Sequence, residues 1–218
     1  MNLQRFKNLW KYHYKKYLAL FFTITALILL IGAGAYDVYL SYGQSADGMN
    51  SVVSDFFSIW DFALFAVAYM LILIGNLQGS TLAYQGMLMY VFMTLFSAGS
   101  AFVQNGFLNI GVLASGDSVA IVLYLFILLF YAAIIVTGVM TYIRTTQYLR
   151  NTYANYIGLR TWCLLFVIFN VLLYGFEPAY FLVVGRSVSV LLLVLEPLSQ
   201  VFISLAIFFT VSRLKTEY

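Results

Sequence analysis

The chain has 218 residues, 63% of them hydrophobic and 9% charged, with a mean hydropathy of +0.93 and a formal net charge of +3. Soluble domains hold roughly 45–50% apolar and about 25% charged residues, so this composition excludes an ordinary water-soluble fold. The positive balance is not a nucleic-acid signal, because the cations sit beside apolar stretches, and a single cysteine, Cys163, excludes an internal disulfide or a Cys-based metal centre.

The first element in chain order is an amphipathic segment over residues 1–17. Leu3, Phe6, Trp10, Tyr14 and Tyr17 recur every three or four residues and share one helical face, while Lys7, Lys11 and Lys15 step by four along its flank, with Arg5 and Lys16 beyond. Such a helix lies in the membrane interface, aromatics at the headgroups and cations toward anionic lipid. It serves either as a topology anchor or as a lever touching a cytoplasmic partner.

Six apolar stretches follow. The first covers 18–35 and leads into an acidic loop with Asp37, Asp47 and Asp55. The second covers 59–77, and the short link Gln78-Gly79-Ser80 joins it to the third at 81–103. A polar loop over 104–117 precedes the fourth, 119–142. A linker over 141–160, with Tyr142, Tyr148, Tyr153 and Tyr156 among three arginines, reads as a helical extension of the fourth span turning back into the fifth. Two roles stay open for it: an interfacial aromatic belt, or a docking surface for a cytoplasmic subunit. The fifth span begins near 159 and ends between 175 and 184. The sixth covers 188–211, leaving a tail over 212–218. These lengths match about 30 Å of hydrocarbon at about 1.5 Å per residue, and the alternating ten-residue segments of a membrane barrel are absent. Ala33-Gly34-Ala35 follows a basic start and resembles a signal-cleavage site, but its apolar run is long enough to span and reads as a permanent helix.

Charge fixes the expected orientation. Arg5, Lys7, Lys11, Lys15, Lys16, Arg144, Arg150, Arg160, Arg213 and Lys215 share one side if each stretch crosses once. Only Arg186 falls opposite, together with Asp37, Asp47, Asp55, Asp117 and Glu177. Lysine and arginine collect on the cytoplasmic face. The expectation is an all-α, multi-pass protein of the plasma membrane, with both termini cytoplasmic: an amphipathic interfacial helix at 1–17, a six-helix transmembrane domain at 18–211 and a cytoplasmic tail at 212–218.

Two prolines each follow a glutamate, Glu177-Pro178 and Glu196-Pro197. If the sixth span starts at 188, Glu196 lies about 13 Å along it. A carboxylate at that depth should face a cavity, a partner side chain or another subunit, and Pro197 permits a kink. Alternatively 177–196 forms a re-entrant hairpin, or Glu196 is a structural carboxyl held within the bundle. Asp61, one turn into the second span, marks the interface on that side. Gly32, Gly34, Ser97, Gly99 and Ser100 suggest close helix packing. The candidate intramembrane residues are therefore Glu196, Pro197, Glu177, Arg186 and Asp61. Those for contact with a cytoplasmic partner are Arg5, Lys7, Lys11, Lys15, Gln78, Arg144 and Arg150. Cys163 reads as a small buried hydrophobe. With one histidine, His13, and no nucleophile, metal or phosphate-binding motif, the expectation is no enzyme and no cofactor.

The opening Met1-Asn2-Leu3-Gln4-Arg5-Phe6-Lys7-Asn8-Leu9-Trp10-Lys11-Tyr12, the six spans, the short turn after span two and the polar segment before span six resemble the small ABC-2-type permeases of Gram-positive bacteria. That resemblance covers the chain but is topological. It implies an oligomeric permease core, homo- or heteromeric, driven by a cytoplasmic ATPase that touches the amphipathic helix and the turn between spans two and three. The turn Gln78-Gly79-Ser80-Thr81 departs from a coupling surface in carrying no charge. Two other classes remain: a non-transporting bacteriocin-immunity or accessory protein, and a self-contained channel or solute carrier using Glu196.

Overall fold

The computed structural model describes residues 3–44, 48–108, 110–114, 116–150, 156–184 and 191–213, and no strand occurs among them. Six helices follow one another: α1 (Leu3–Gln44), α2 (Gly48–Gln78), α3 (Leu82–Val103), α4 (Ser118–Leu149), α5 (Tyr156–Val184) and α6 (Leu192–Ser212). Each contains an apolar segment long enough to cross a membrane. Helices are the required solution, since hydrocarbon offers no partner for an unpaired backbone N–H or C=O. A π-helical turn (Gln104–Leu108) and a 3-10 turn (Ile110–Ala114) connect α3 to α4. Asp117 caps α4, its carboxylate accepting from the amides of Val119 and Ala120 at 2.9 and 3.3 Å.

Consecutive helices pack against each other, and α1 against α6 closes the ring. Lys15 near the start of α1 donates to the carbonyl of Ser212 at the end of α6 (2.7 Å), and Lys16 donates to that of Leu77 at the end of α2 (3.0 Å). The beginning of α1 and the end of α6 therefore lie at one end of the bundle, here the terminal end. The opposite end is the far end. Two ammonium groups placed on helix C-termini also complement the negative ends of those helices.

The terminal end is tightly packed. Gly75 of α2 lies so close to the backbone of Ala83 that a side chain would collide with it, and a Cβ on Gly86 would come within 2.7 Å of the Ile72 amide. These glycines, with Ala68 and Ala83 buried beside them, let α2 and α3 approach closely. The positive φ of Gly79 (67°) turns the chain between them. Gly138 serves the same purpose where α4 meets Leu95 and Phe166.

Helix boundaries depart from expectation at two functional points. The amphipathic segment at 1–17 is not a separate element: α1 runs unbroken for 42 residues, about 63 Å or twice the hydrocarbon thickness. At its other end α1 continues past residue 35, which moves Asp37 from a loop into a helix wall. α6 begins at Leu192, not 188, so Glu196 lies about 6 Å along it rather than about 13 Å. Of the segment 177–196, the first part belongs to α5, which continues through Pro178 to Val184, and the last to α6, which contains Glu196; residues 185–190 between them lie outside the described residues. α2 likewise begins at Gly48 rather than 59, which moves Asp55 from the expected loop into a helix, whereas the extension of α4 to Leu149 ahead of α5 is as expected. Arg213, expected in the tail, is buried against the bundle, and Cys163 is fully buried, as a small hydrophobe should be.

Candidate functional site

Polar side chains inside the bundle fall into two groups. The threonines of the spans, among them Thr23, Thr94, Thr137, Thr141 and Thr145, return their hydroxyls to carbonyls four residues earlier at 2.6–2.9 Å. These are satisfied locally and carry no chemistry. The second group lies along α6, where Glu196, Gln200 and Ser204 recur every four residues and share one face. The Tyr90 hydroxyl, at the bundle centre on α3, donates to Gln200 Oε1 (3.0 Å) and sits 3.2 Å from Ser204 Oγ. Ser199 Oγ donates to the carbonyl of Ala26 on α1 (2.9 Å) and is 3.4 Å from the Tyr69 hydroxyl. Phe65, Tyr69 and Phe166 surround the Tyr90 ring with centroids 6.0–6.3 Å away. Toward the terminal end, Asn76 and Thr210 bond each other across α2 and α6 at 2.9 Å.

Above Tyr90 the helices part. A partly open cavity of about 410 Å³ lies among α1, α2, α3 and α6, within the usual range for small-ligand sites. Asp37, Asp61 and Glu196 bring three carboxylates to its wall, Ser97, Ser100, Gln104 and Gln200 add neutral polar groups, and Phe62, Phe65 and Phe96 supply aromatic surface. No lysine or arginine among the described residues lines it. Glu196 is exposed by accessible area yet surrounded by protein on most sides, the combination that a cavity wall produces. Asp37 lies near enough for its charge to oppose that of Glu196. Below Gln200 the space ends: Ile203, Ala206 and Ile207 of α6 and Ile72 of α2 are fully buried, and the Asn76–Thr210 pair lies beneath them.

The residues expected to matter are thus partly assembled. Glu196 and Asp61 share the cavity. Pro197 follows within α6, where it cannot donate to the carbonyl of Leu193. Glu177 is elsewhere, accepting from the Tyr131 hydroxyl across α4 and α5 at 2.9 Å. Arg186 lies outside the described residues. Of the expected partner contacts, Arg5, Lys7 and Lys11 belong to the first turns of α1. Lys15 is engaged with α6, Arg144 bonds Gln147 on its own helix (3.1 Å), and Gln78 and Arg150 are exposed. The small residues correct differently. Gly34 does admit a close neighbour, the Phe62 ring, but Gly32 and Gly99 face open space and Ser97 and Ser100 line the cavity. Gln200 and Tyr90 were not singled out from the sequence, and Asp37 reads there only as a loop acid on the face opposite the cations. The i, i+4, i+8 spacing of Glu196, Gln200 and Ser204 in an apolar span was the signal that could have found Gln200. Among the described residues, no three His, Cys, Asp or Glu side chains converge to hold a metal ion.

No family model matches the chain, and neither a curated protein nor a solved structure is significantly similar to it. The structure establishes a multi-pass, all-helical membrane protein with an acid-lined cavity at the end opposite its termini.

Proposed function

We propose that this protein is the membrane-embedded permease subunit of an ATP-driven, ABC-2-like exporter in the plasma membrane. Its termini are cytoplasmic, its cargo is a peptide, lipid-linked or other amphiphilic molecule, and its ATPase is a separate chain. The observation that carries the reading is a partly open cavity whose lining lies in the far half of the bundle and which stops mid-bundle at a packed layer, the form expected of one state of an alternating-access pathway. The cationic side of the chain supports the orientation. α1 supports coupling: it joins basic turns beyond the membrane, Lys15 and Lys16 clamped to α6 and α2, and the cavity wall at Asp37. Force applied to its first turns would reach α2 and α6, two of the helices that face the cavity.

The test is purification in mild detergent with mass spectrometry, followed by flux in proteoliposomes. An ATPase is expected to co-purify, and export is expected only with that ATPase and ATP. Immunity of cells to a peptide without any ATPase would contradict this and favour an immunity or accessory protein. A second reading, a self-contained carrier, is favoured by the place of Glu196 in the cavity wall, where a carboxylate could couple cargo to a proton or cation. Flux by the isolated chain, abolished by Glu196→Gln, would select it.

A further inference from the structure

Gln200 is the polar group of the cavity farthest along α6 from its open end. It is 96% buried, being 4% exposed. Its Oε1 accepts from Tyr90, and its amide N–H groups have no partner among the described residues although they border the cavity. The amide nitrogen is not sealed within protein but reaches the cavity, where it can donate to an acceptor that enters. One turn nearer the opening, Glu196 likewise has no hydrogen-bond or ion-pair partner among the described residues, and the same holds for Asp61. Donor and carboxylates together describe a ligand with an oxygen acceptor leading and a cationic group behind it.

The cation is organic rather than metallic, for two reasons. No three acidic side chains among the described residues are placed to hold one ion, whereas calcium needs six to eight close oxygens. The remaining wall is aromatic, with Phe62, Phe65 and Phe96 on α2 and α3, and aromatic faces attract ammonium groups and accommodate the apolar body that carries them. A volume of about 410 Å³ admits one or two residue-sized groups.

We propose that the cavity binds an alkylammonium group attached to an apolar body with a carbonyl oxygen nearby: the ammonium on Glu196 and Asp61, the oxygen on the Gln200 amide, the body against Phe62, Phe65 and Phe96. A small free amine and the amino end of a peptide share this chemistry. The proposal rests on the permease reading only in treating the ligand as cargo.

Binding to the purified full chain in lipid nanodiscs, without any ATPase, tests it by calorimetry. The probes are L-leucinamide, the tripeptide amide Lys-Leu-Leu-NH2, neutral N-acetyl-L-leucinamide and calcium chloride. At least one unblocked amine is expected to bind. Leucinamide binding identifies a small-amine site, and binding of the tripeptide alone a peptide site. Glu196→Gln should weaken that binding at least tenfold, and Gln200→Met at least threefold. Asp61→Asn, at an exposed position, should weaken it about threefold and keeps the proposal testable where the other variants fail to assemble. Equal binding of the acetylated probe, preference for calcium, no binding of either amine, or unchanged affinity in folded variants would overturn it. Such a failure leaves the permease reading to its own flux experiment. Binding without ATP-dependent flux would remove the permease reading and leave the site.

Discussion

The terminal and far ends of this bundle use the same helices in opposite ways. At the terminal end α2 and α3 touch through glycine and alanine, Asn76 and Thr210 satisfy each other, and lysines close two helix C-termini. At the far end α1, α2, α3 and α6 part around an acid-lined cavity, where Glu196, Asp61 and the Gln200 amide N–H groups have no hydrogen-bond partner among the described residues. In hydrocarbon there is no hydrophobic drive between helices, so contact depends on close fit and hydrogen bonds. Where Gly75 and Gly86 bring backbones together the bundle is solid, and where Asp61, Phe96 and Glu196 face one another a space remains. Stability therefore resides at one end and recognition at the other.

The largest expected stability effect breaks the solid end. Gly75→Ala forces a Cβ into the backbone of Ala83 and should cost about 1–3 kcal/mol by overpacking. Gly32→Ala, with open space around it, should leave the unfolding midpoint in detergent unchanged or slightly raised. Equal effects of the two would erase the contrast between close-packed and open glycines.

Next comes the cavity. Glu196→Gln should reduce transport or ligand binding about tenfold, or roughly 1.4 kcal/mol, with little change in thermal midpoint. Glu177→Gln, outside the cavity wall and still able to accept from Tyr131, should reduce transport or ligand binding less than Glu196→Gln does. Matching losses in both variants would show that charge at the far end matters and the cavity does not.

Smaller effects sharpen the other side of the comparison. Asn76→Leu removes one interhelical hydrogen bond, and Thr210 keeps its bond to the Ala206 carbonyl at 2.8 Å. The expected loss is about 0.6–1.7 kcal/mol, measured by denaturation in mixed micelles. Lys16→Met should cost least, about 0.3–1 kcal/mol, through the exposed cap on α2. A larger loss for Lys16→Met than for Asn76→Leu would mean that the lysine cap, not the buried pair, holds the terminal end.

Much of the architecture was legible because hydropathy and charge are one-dimensional signals. Third-span boundaries of 81–103 against Leu82–Val103 differ by a single residue, since Gly79 and the uncharged turn mark the start sharply. Helix ends in polar sequence were not legible. α1 extends through Tyr36 and Asp37 to Gln44, because polar residues beyond the apolar run still complete backbone hydrogen bonds as helix. Glu196 and Asp61 stood out as charges next to apolar runs. Gln200 did not, since nothing local distinguishes a glutamine that bonds Tyr90, 110 positions away, from one that faces its own helix. Glycine roles reversed for the same reason: whether Gly75 or Gly32 meets a neighbour depends on which face of the helix the ring presents.

The most direct test of the central claim is labelling with a membrane-impermeant maleimide on intact cells, in a Cys163→Ala background that removes the buried thiol. Ser97→Cys, in the cavity wall, should react from outside, and Gln78→Cys, exposed at the terminal end, should react only after the cells are opened. Labelling of Gln78→Cys on intact cells, or protection of Ser97→Cys there, would contradict the proposed orientation, in which the acid-lined cavity faces outward and the termini lie in the cytoplasm.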